Sequence, residues 1–164
     1  MIKRIIDKIY LEMHIFKFKS LYKNKITIGR KISFRKRLNI RISKGGSLNI
    51  GEKVFFNNDC SINCAGKIEI GDFCIFGENV KLYDHGHNYS NPQELIRDQG
   101  LKKGKITMGK NCWIGSNVTI LANVEIGENV IIGANCLIYK SIPSNSIVKC
   151  NSGLIIEKLI YKDN

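Results

Sequence analysis

Residues 106–143 read ITMGKNCWIGSNVTILANVEIGENVIIGANCLIYKSIP, and a strict period of six runs through them. Met108, Ile114, Ile120, Ile126, Ile132 and Ile138 share one phase. Glycine follows four of them, as Gly109, Gly115, Gly127 and Gly133. Four positions after each large aliphatic comes a small or β-branched residue: Cys112, Val118, Val124, Val130, Cys136 and Ile142. Repetition at so short an interval marks a repeat architecture. In a strand alternate side chains face one way, so these two phases point to the same side and can be buried together. Glycine beside the large aliphatic suits a sharp corner where φ is positive and no Cβ is wanted. Asn111, Asn117, Asn123, Asn129 and Asn135 recur at the same corners, and Asn tolerates the left-handed region. Short strands joined by corners and stacked coil on coil make a solenoid, each coil stabilised by its neighbours. Three hexapeptides close one triangular turn of 18 residues. A helix would need a period of 3.6, and a sandwich would place its turns further apart.

The pattern extends towards the N-terminus. Ile28, Phe34 and Ile40 are six apart, a Gly45-Gly46 insertion follows, and Ile50, Phe56 and Ile62 resume the count. Ile70, Phe76 and Leu82 complete a third set. Five coils are expected, at about 28–45, 50–67, 70–87, 108–125 and 126–143. Between Leu82 and Ile106 the period breaks, and a solenoid accommodates such an excursion only as an external loop. That loop opens on Asp84-His85-Gly86-His87, two of the three histidines.

Ahead of the repeat, Ile2, Ile5, Ile6, Ile9, Met13 and Phe16 recur at helical spacing with charges between them. This is an amphipathic helix over about 2–16, expected to cap the open end of the solenoid or to touch anionic membrane lipid. Residues 1–44 carry nine Lys and five Arg against Asp7 and Glu12, a surplus of twelve. The rest of the chain is balanced, so the whole net charge of +12 sits at one end. In the first coil Arg30, Lys31, Arg35, Lys36, Arg37 and Arg41 fall at outward phases, suited to a polyanionic acceptor or a membrane. Nucleic acid is disfavoured, because no nucleic-acid motif and no aromatic–basic interleaving accompany the charge.

Cys60, Cys74, Cys112 and Cys136 fall at the small inward phase, where a thiol serves as a small hydrophobe. No CxxC cluster argues for a metal or a disulfide, and free thiols fit a reducing cytoplasm. No signal peptide and no membrane-spanning run is evident.

The stretch NCWIGSNVTI…VEIGENVIIGANCLIYKSIPSNSIV resembles the hexapeptide-repeat acyltransferases, in particular the galactoside/maltose and capsular-polysaccharide O-acetyltransferases. The resemblance covers about 26–148. It implies an all-β fold: a left-handed parallel β-helix of about five coils, with an N-terminal helix and cap (1–25), an external loop (86–105) and a C-terminal capping segment (149–164). It implies an enzyme that moves acetyl from acetyl-CoA directly to a sugar hydroxyl, in a homotrimer with sites between subunits and without a metal. A sugar hydroxyl is a poor nucleophile and needs a base, and imidazole titrates nearest neutral pH. The family's catalytic histidine falls five residues after the last core aliphatic before the loop, which is His87; His85 is the rival or a second contact. Asp84 orients an imidazole or a sugar hydroxyl. Trp113, Gly115, Ser116 and Ala134 match positions along the coenzyme's pantetheine arm, Lys140 one near its phosphates, and Asn57 an acceptor-binding asparagine. The family continues after Pro143 with Gly-Asn-Pro-Ala and a basic residue. Here Cys150-Asn151-Ser152-Gly153-Leu154 stands instead, leaving Lys149 or Lys158 to meet the 3′-phosphate. The alternatives are acetylation of a small molecule, and a non-catalytic scaffold on the same fold.

Overall fold

The computed structural model describes residues 2–149. The short strands stack into three parallel sheets that form the faces of a left-handed triangular β-helix. Face A holds Ile26–Ile28, Ser47–Ile50, Lys67–Ile70, Lys105–Met108 and Val124–Ile126, in that spatial order. Face B holds six strands, from Ser33–Phe34 through Phe55–Phe56, Ile75–Phe76, Trp113–Ile114 and Ile131–Ile132 to Ile147–Val148. Face C holds Asn39–Ile42, Ser61–Cys64, Lys81–Tyr83, Thr119–Ile120 and Leu137–Ile138. The five expected coils are present, and a partial sixth follows. Ile142 bridges Ile126, and Ile147 pairs with Ile131. That last step is 16 residues rather than 18: Ile142 takes the place above Ile126, not the one above Val124, so two residues of the regular count are missing at this corner.

Both inward phases are buried from Leu48 to Ile138, and Ile28, Phe34 and Val148 are partly buried at the two ends of the stack. The large column on face B runs Phe56, Phe76, Ile114, Ile132, and the Phe56 and Phe76 rings stack at 4.6 Å. The corner columns are filled by small residues, such as Val54, Cys74, Cys112 and Val130. Large side chains on the flat faces and small ones at the corners are what a triangular section of constant size permits at close packing.

At the corners the division of labour differs from the sequence expectation. From Asn111 onward the left-handed residues are the asparagines: Asn111, Asn117, Asn123, Asn129, Asn135 and Asn145 all have φ between 55° and 63°, while in the earlier coils Lys31, Arg37, Lys53, Asp59, Phe73 and Asn79 take the same conformation. They also form ladders, Asn111 Nδ2 donating to Asn129 Oδ1 (2.8 Å) and Asn129 Nδ2 to Asn145 Oδ1 (3.0 Å). The corner glycines do not have positive φ; among the described glycines only Gly45 and Gly100 do. They are required because the next coil passes too close. A Cβ on Gly71 would lie 2.6 Å from the Gly109 carbonyl carbon, and one on Gly115 would lie 2.6 Å from the Ala134 nitrogen.

The N-terminal helix α1 (Ile2–Tyr22) runs past the expected 2–16. Phe18 and Tyr22 continue the face begun by Tyr10 and His14, four residues apart, so docking continues to pull the chain into helix. Tyr10, His14 and Phe18 pack around Phe34, Phe18 is buried, and the Tyr22 hydroxyl donates to the Ile40 carbonyl (2.8 Å). The helix therefore covers the open end of the first coil. The C-terminal capping segment expected over 149–164 lies, beyond Lys149, outside the described residues.

Cys60, Cys64, Cys74, Cys112 and Cys136 are all buried, and none of them is in a disulfide. Burial pushes the Cys60 thiol up from an ordinary 9.0 to about 11 and, with Asp84 nearby, Cys64 to about 12. Below pH 9 these thiols are protonated in the folded and the unfolded chain alike. From there to pH 11–12 only the unfolded chain ionises, so unfolding releases protons and stability falls. Thermal scans across that range show a decline in Tm that is shallower in a Cys60→Ala/Cys64→Ala variant. Gly71→Ala lowers stability by about 2 kcal/mol through overpacking. Gly86→Ala, with nothing within 4 Å of its Cβ, leaves the urea midpoint close to that of the parent.

Candidate functional site

The coil with the long excursion builds the site. Leu82 is the last residue of face C to enter the core before the excursion, and Asp84 follows at the corner, fully buried. A buried carboxylate demands partners, and Asp84 has three. Oδ1 accepts the Ala65 amide (2.7 Å), Oδ2 accepts the Gly66 amide (2.9 Å), and His85 Nδ1 lies 2.9 Å from Oδ1. Its own carbonyl accepts the Gly104 amide at 2.6 Å. Asp84 thus ties the coil beneath to both the exit and the return of the loop. Its side-chain neighbour is thus the imidazole of His85. With Nδ1–H donated to Asp84, His85 holds Nε2 as its acceptor nitrogen.

The excursion is more ordered than a loop. His85–His87 and Leu101–Lys103 form an antiparallel hairpin, with His85 opposite Lys103 and His87 opposite Leu101. At the tip Gln99 accepts the Asn91 amide (3.0 Å) and donates to the carbonyls of Asn91 and Glu94, both at 2.8 Å. Lys103 Nζ donates to the Lys44 carbonyl, which lays the hairpin back along the first coils. No repeat rule marks Gln99. The signals in the sequence were the polar Asn88, Asn91 and Gln99 and the positive-φ Gly100 around an aperiodic stretch. The hairpin leaves His85 half-buried and His87 exposed, its ring without a hydrogen bond among the described residues.

The remaining candidates stand elsewhere. Gly115, Ser116 and Ala134 line the corner between faces B and C, with Asn57 two coils below Gly115 on the same column. The Ser116 hydroxyl accepts the Glu78 amide (3.2 Å) and its carbonyl accepts the Asn135 amide (2.9 Å). Asn57 Oδ1 caps the Asn58 amide (2.9 Å). Trp113 is 55% exposed on the outer surface of face B, in register between Ile75 and Ile131, with Ile147 next in line. This outward apolar column was missed in the sequence apart from the tryptophan. Its signal is the residue just before each buried aliphatic, which is hydrophobic on this face. Lys140 sits exposed at the corner between C and A, its Nζ 5.7 Å from the Tyr139 ring centre. A cavity of about 200 Å³ lies beside it at the last coil, lined by Leu137, Tyr139, Ile142 and Val148, away from the histidines.

The structure therefore brings Asp84 and His85 together and does not bring the histidines to Trp113, Ser116 or Ala134. The hairpin leaves the C–A corner, and in a triangular section that corner lies opposite face B. Leu154 and Lys158 lie outside the described residues. No group of three His, Cys, Asp or Glu among the described residues could hold a metal ion.

Comparison with known proteins agrees with this architecture. Residues 105–140 match the model of the bacterial transferase hexapeptide (six repeats). The crystal structure of a maltose O-acetyltransferase from Clostridium difficile 630 superposes with a TM-score of 0.68 at 31% identity, covering 87% of this chain and 75% of that one. A galactoside acetyltransferase in complex with coenzyme A superposes with a TM-score of 0.59 at 29% identity, covering 81% and 65%. Galactoside O-acetyltransferase from Escherichia coli (strain K12) is 34% identical over 124 residues, 76% of this chain and 60% of its own length. The chain spans only 30–38% of the first curated relatives it matches.

Removing the Asp84 carboxylate leaves the buried Ala65 amide and the half-buried Gly66 amide unpaired, at a cost of about 3 kcal/mol. Asp84→Ala lowers Tm and opens 88–100 to limited proteolysis, whereas Asp84→Asn, which keeps one carbonyl oxygen, is less affected on both readouts.

Proposed function

The chain belongs to the hexapeptide-repeat acyltransferases, and on that premise we propose that it transfers acetyl from acetyl-CoA to a hydroxyl of a cell-surface or capsular sugar. The observation that carries this reading is the hairpin inserted into the third coil, which holds two histidines over an otherwise uninterrupted solenoid. The acceptor hydroxyl attacks the thioester carbonyl directly while the imidazole of His87 takes its proton; collapse of the tetrahedral intermediate expels CoA thiolate, which the imidazolium reprotonates. His87 is accessible for this and follows Leu82 at the family's spacing. His85, aligned by Asp84, contacts the acceptor or stands in as the base. Trp113, Gly115, Ser116, Ala134 and Lys140 hold the coenzyme, and Asn57 contacts the acceptor. A galactoside acetyltransferase of the same fold binds coenzyme A, which supports the donor.

Because the histidines and the Trp113–Ser116 corner lie on opposite sides of one chain, a working site needs the hairpin of one subunit and face B of the next. The outward apolar column Ile75–Trp113–Ile131 suits such a contact, and a closed ring of three fits a triangular section. The surplus of positive charge at one end favours an anionic sugar. We further propose that the enzyme works in the cytoplasm or at the inner face of the membrane, where acetyl-CoA and reduced thiols coexist.

CoA-thiol release across a panel of neutral and acidic oligosaccharides tests the reaction. His87→Ala lowers kcat by roughly 10²–10⁴ with the KM for acetyl-CoA unchanged. If His85→Ala alone abolishes turnover, the base is His85; if neither does, no histidine is the base; and if the parent releases no thiol with any acceptor and binds no acetyl-CoA, the scaffold reading replaces this one. Mixing His87→Ala with Trp113→Ala protein tests the shared site. Each alone is inactive, and re-associated mixtures recover activity in roughly a quarter of the sites if neighbouring subunits build them.

A further inference from the structure

Helix α1 has two apolar faces, and only one of them touches the solenoid. At 100° per residue, Tyr10, His14, Phe18 and Tyr22 lie on the face that covers the first coil. Ile6, Ile9, Met13 and Phe16 form a second stripe on nearly the opposite side. All four are exposed, Met13 by 64% and Phe16 by 75%. A helix that only capped the solenoid would be polar there. The stripe is bordered by exposed Lys17 on one side and by exposed Lys19 on the other. Lys23 and Lys25 follow, and the outward Lys31, Arg35, Lys36 and Arg41 of the first coil stand at the same end of the molecule. Arg30 and Arg37 are paired with Glu52 and Asp59 of the next coil, yet this end still holds the whole positive surplus of the chain.

We infer that this end of the β-helix docks on an anionic lipid bilayer, with α1 lying in the interface and Ile6, Ile9, Met13 and Phe16 inserted among the acyl chains. The geometry permits it: the docked face holds the helix across the solenoid's end, so the free stripe points away from the coils and the solenoid stands off the surface. No helix among the described residues is long and apolar enough to cross a membrane, so the contact is one of lying on, not spanning. The two halves of the surface act on different lipid parts. The stripe gives hydrocarbon burial, and the lysines and arginines meet the negative headgroups. A soluble polyanion would satisfy the charges and leave the stripe unaccounted for, which is why lipid is favoured over a free acidic polysaccharide.

The test is co-sedimentation of the full chain with vesicles of phosphatidylcholine, with and without about one part in three of phosphatidylglycerol. The protein pellets with the anionic vesicles and stays in solution with the neutral ones, and added salt weakens the binding. Met13→Ser/Phe16→Ser changes no charge and lowers the partition coefficient on the order of tenfold. Lys17→Gln/Lys19→Gln, which leaves the stripe intact, weakens binding to anionic vesicles and lessens its salt dependence. Both pairs are exposed, and an unchanged Tm confirms the fold. Failure to pellet with anionic vesicles overturns the inference. So does undiminished binding of Met13→Ser/Phe16→Ser, which reduces the contact to charge alone. Capture of dextran sulfate in place of vesicles assigns the surface to an acidic polymer. A change in oligomeric state of that variant, without vesicle binding by the parent, assigns the stripe to a second copy of the chain.

Discussion

Everything in this molecule follows from the backbone hydrogen bonds between one coil and the next. Parallel strands in register put each residue directly over its equivalent, and neighbouring strands lie about 4.8 Å apart. That spacing is the constraint. It turns each position of the hexapeptide into a column, and each column must tolerate its own repetition. Aliphatics stack on aliphatics, Phe56 on Phe76, and Asn111 on Asn129 on Asn145. It also explains the glycines. Where the chain folds inward at a corner, the coil above leaves no room for a Cβ.

The same constraint decides what could be read beforehand. The columns are written in the sequence as a period, so coil number, faces and core were legible from side-chain size alone. The roles of Gly and Asn at the corners were not separable, because both residues suit positive φ and only the inter-coil distance tells them apart. The shortened step before Ile142 was hidden for a related reason. Ile142 satisfies the small-residue phase by size and takes the large-residue place by register.

The site was legible only where it breaks the rule. The aperiodic stretch after Leu82 announced itself, and its histidines with it. The buried state of Asp84 could not be inferred, since a carboxylate in a loop is usually solvated, and the amides of Ala65 and Gly66 that hold it belong to another coil. Nor could the hairpin be inferred, because Leu101 to Lys103 lacks any strand alternation against its partner. The separation of the histidines from Trp113 is different in kind. It follows from counting hexapeptides round a triangle, and it was available from sequence once faces rather than phases were tracked.

Helix α1 carries a consequence for the length of the assembly itself. A parallel stack has no natural end: the first coil presents a row of open amides and carbonyls to anything that can continue it. Phe18 closes the core there, and the Tyr22 hydroxyl occupies the Ile40 carbonyl. The helix is therefore a chain terminator in the polymer chemist's sense. Without it, one solenoid's first coil would be a template for another's last, and a discrete protein would become the monomer of a fibre.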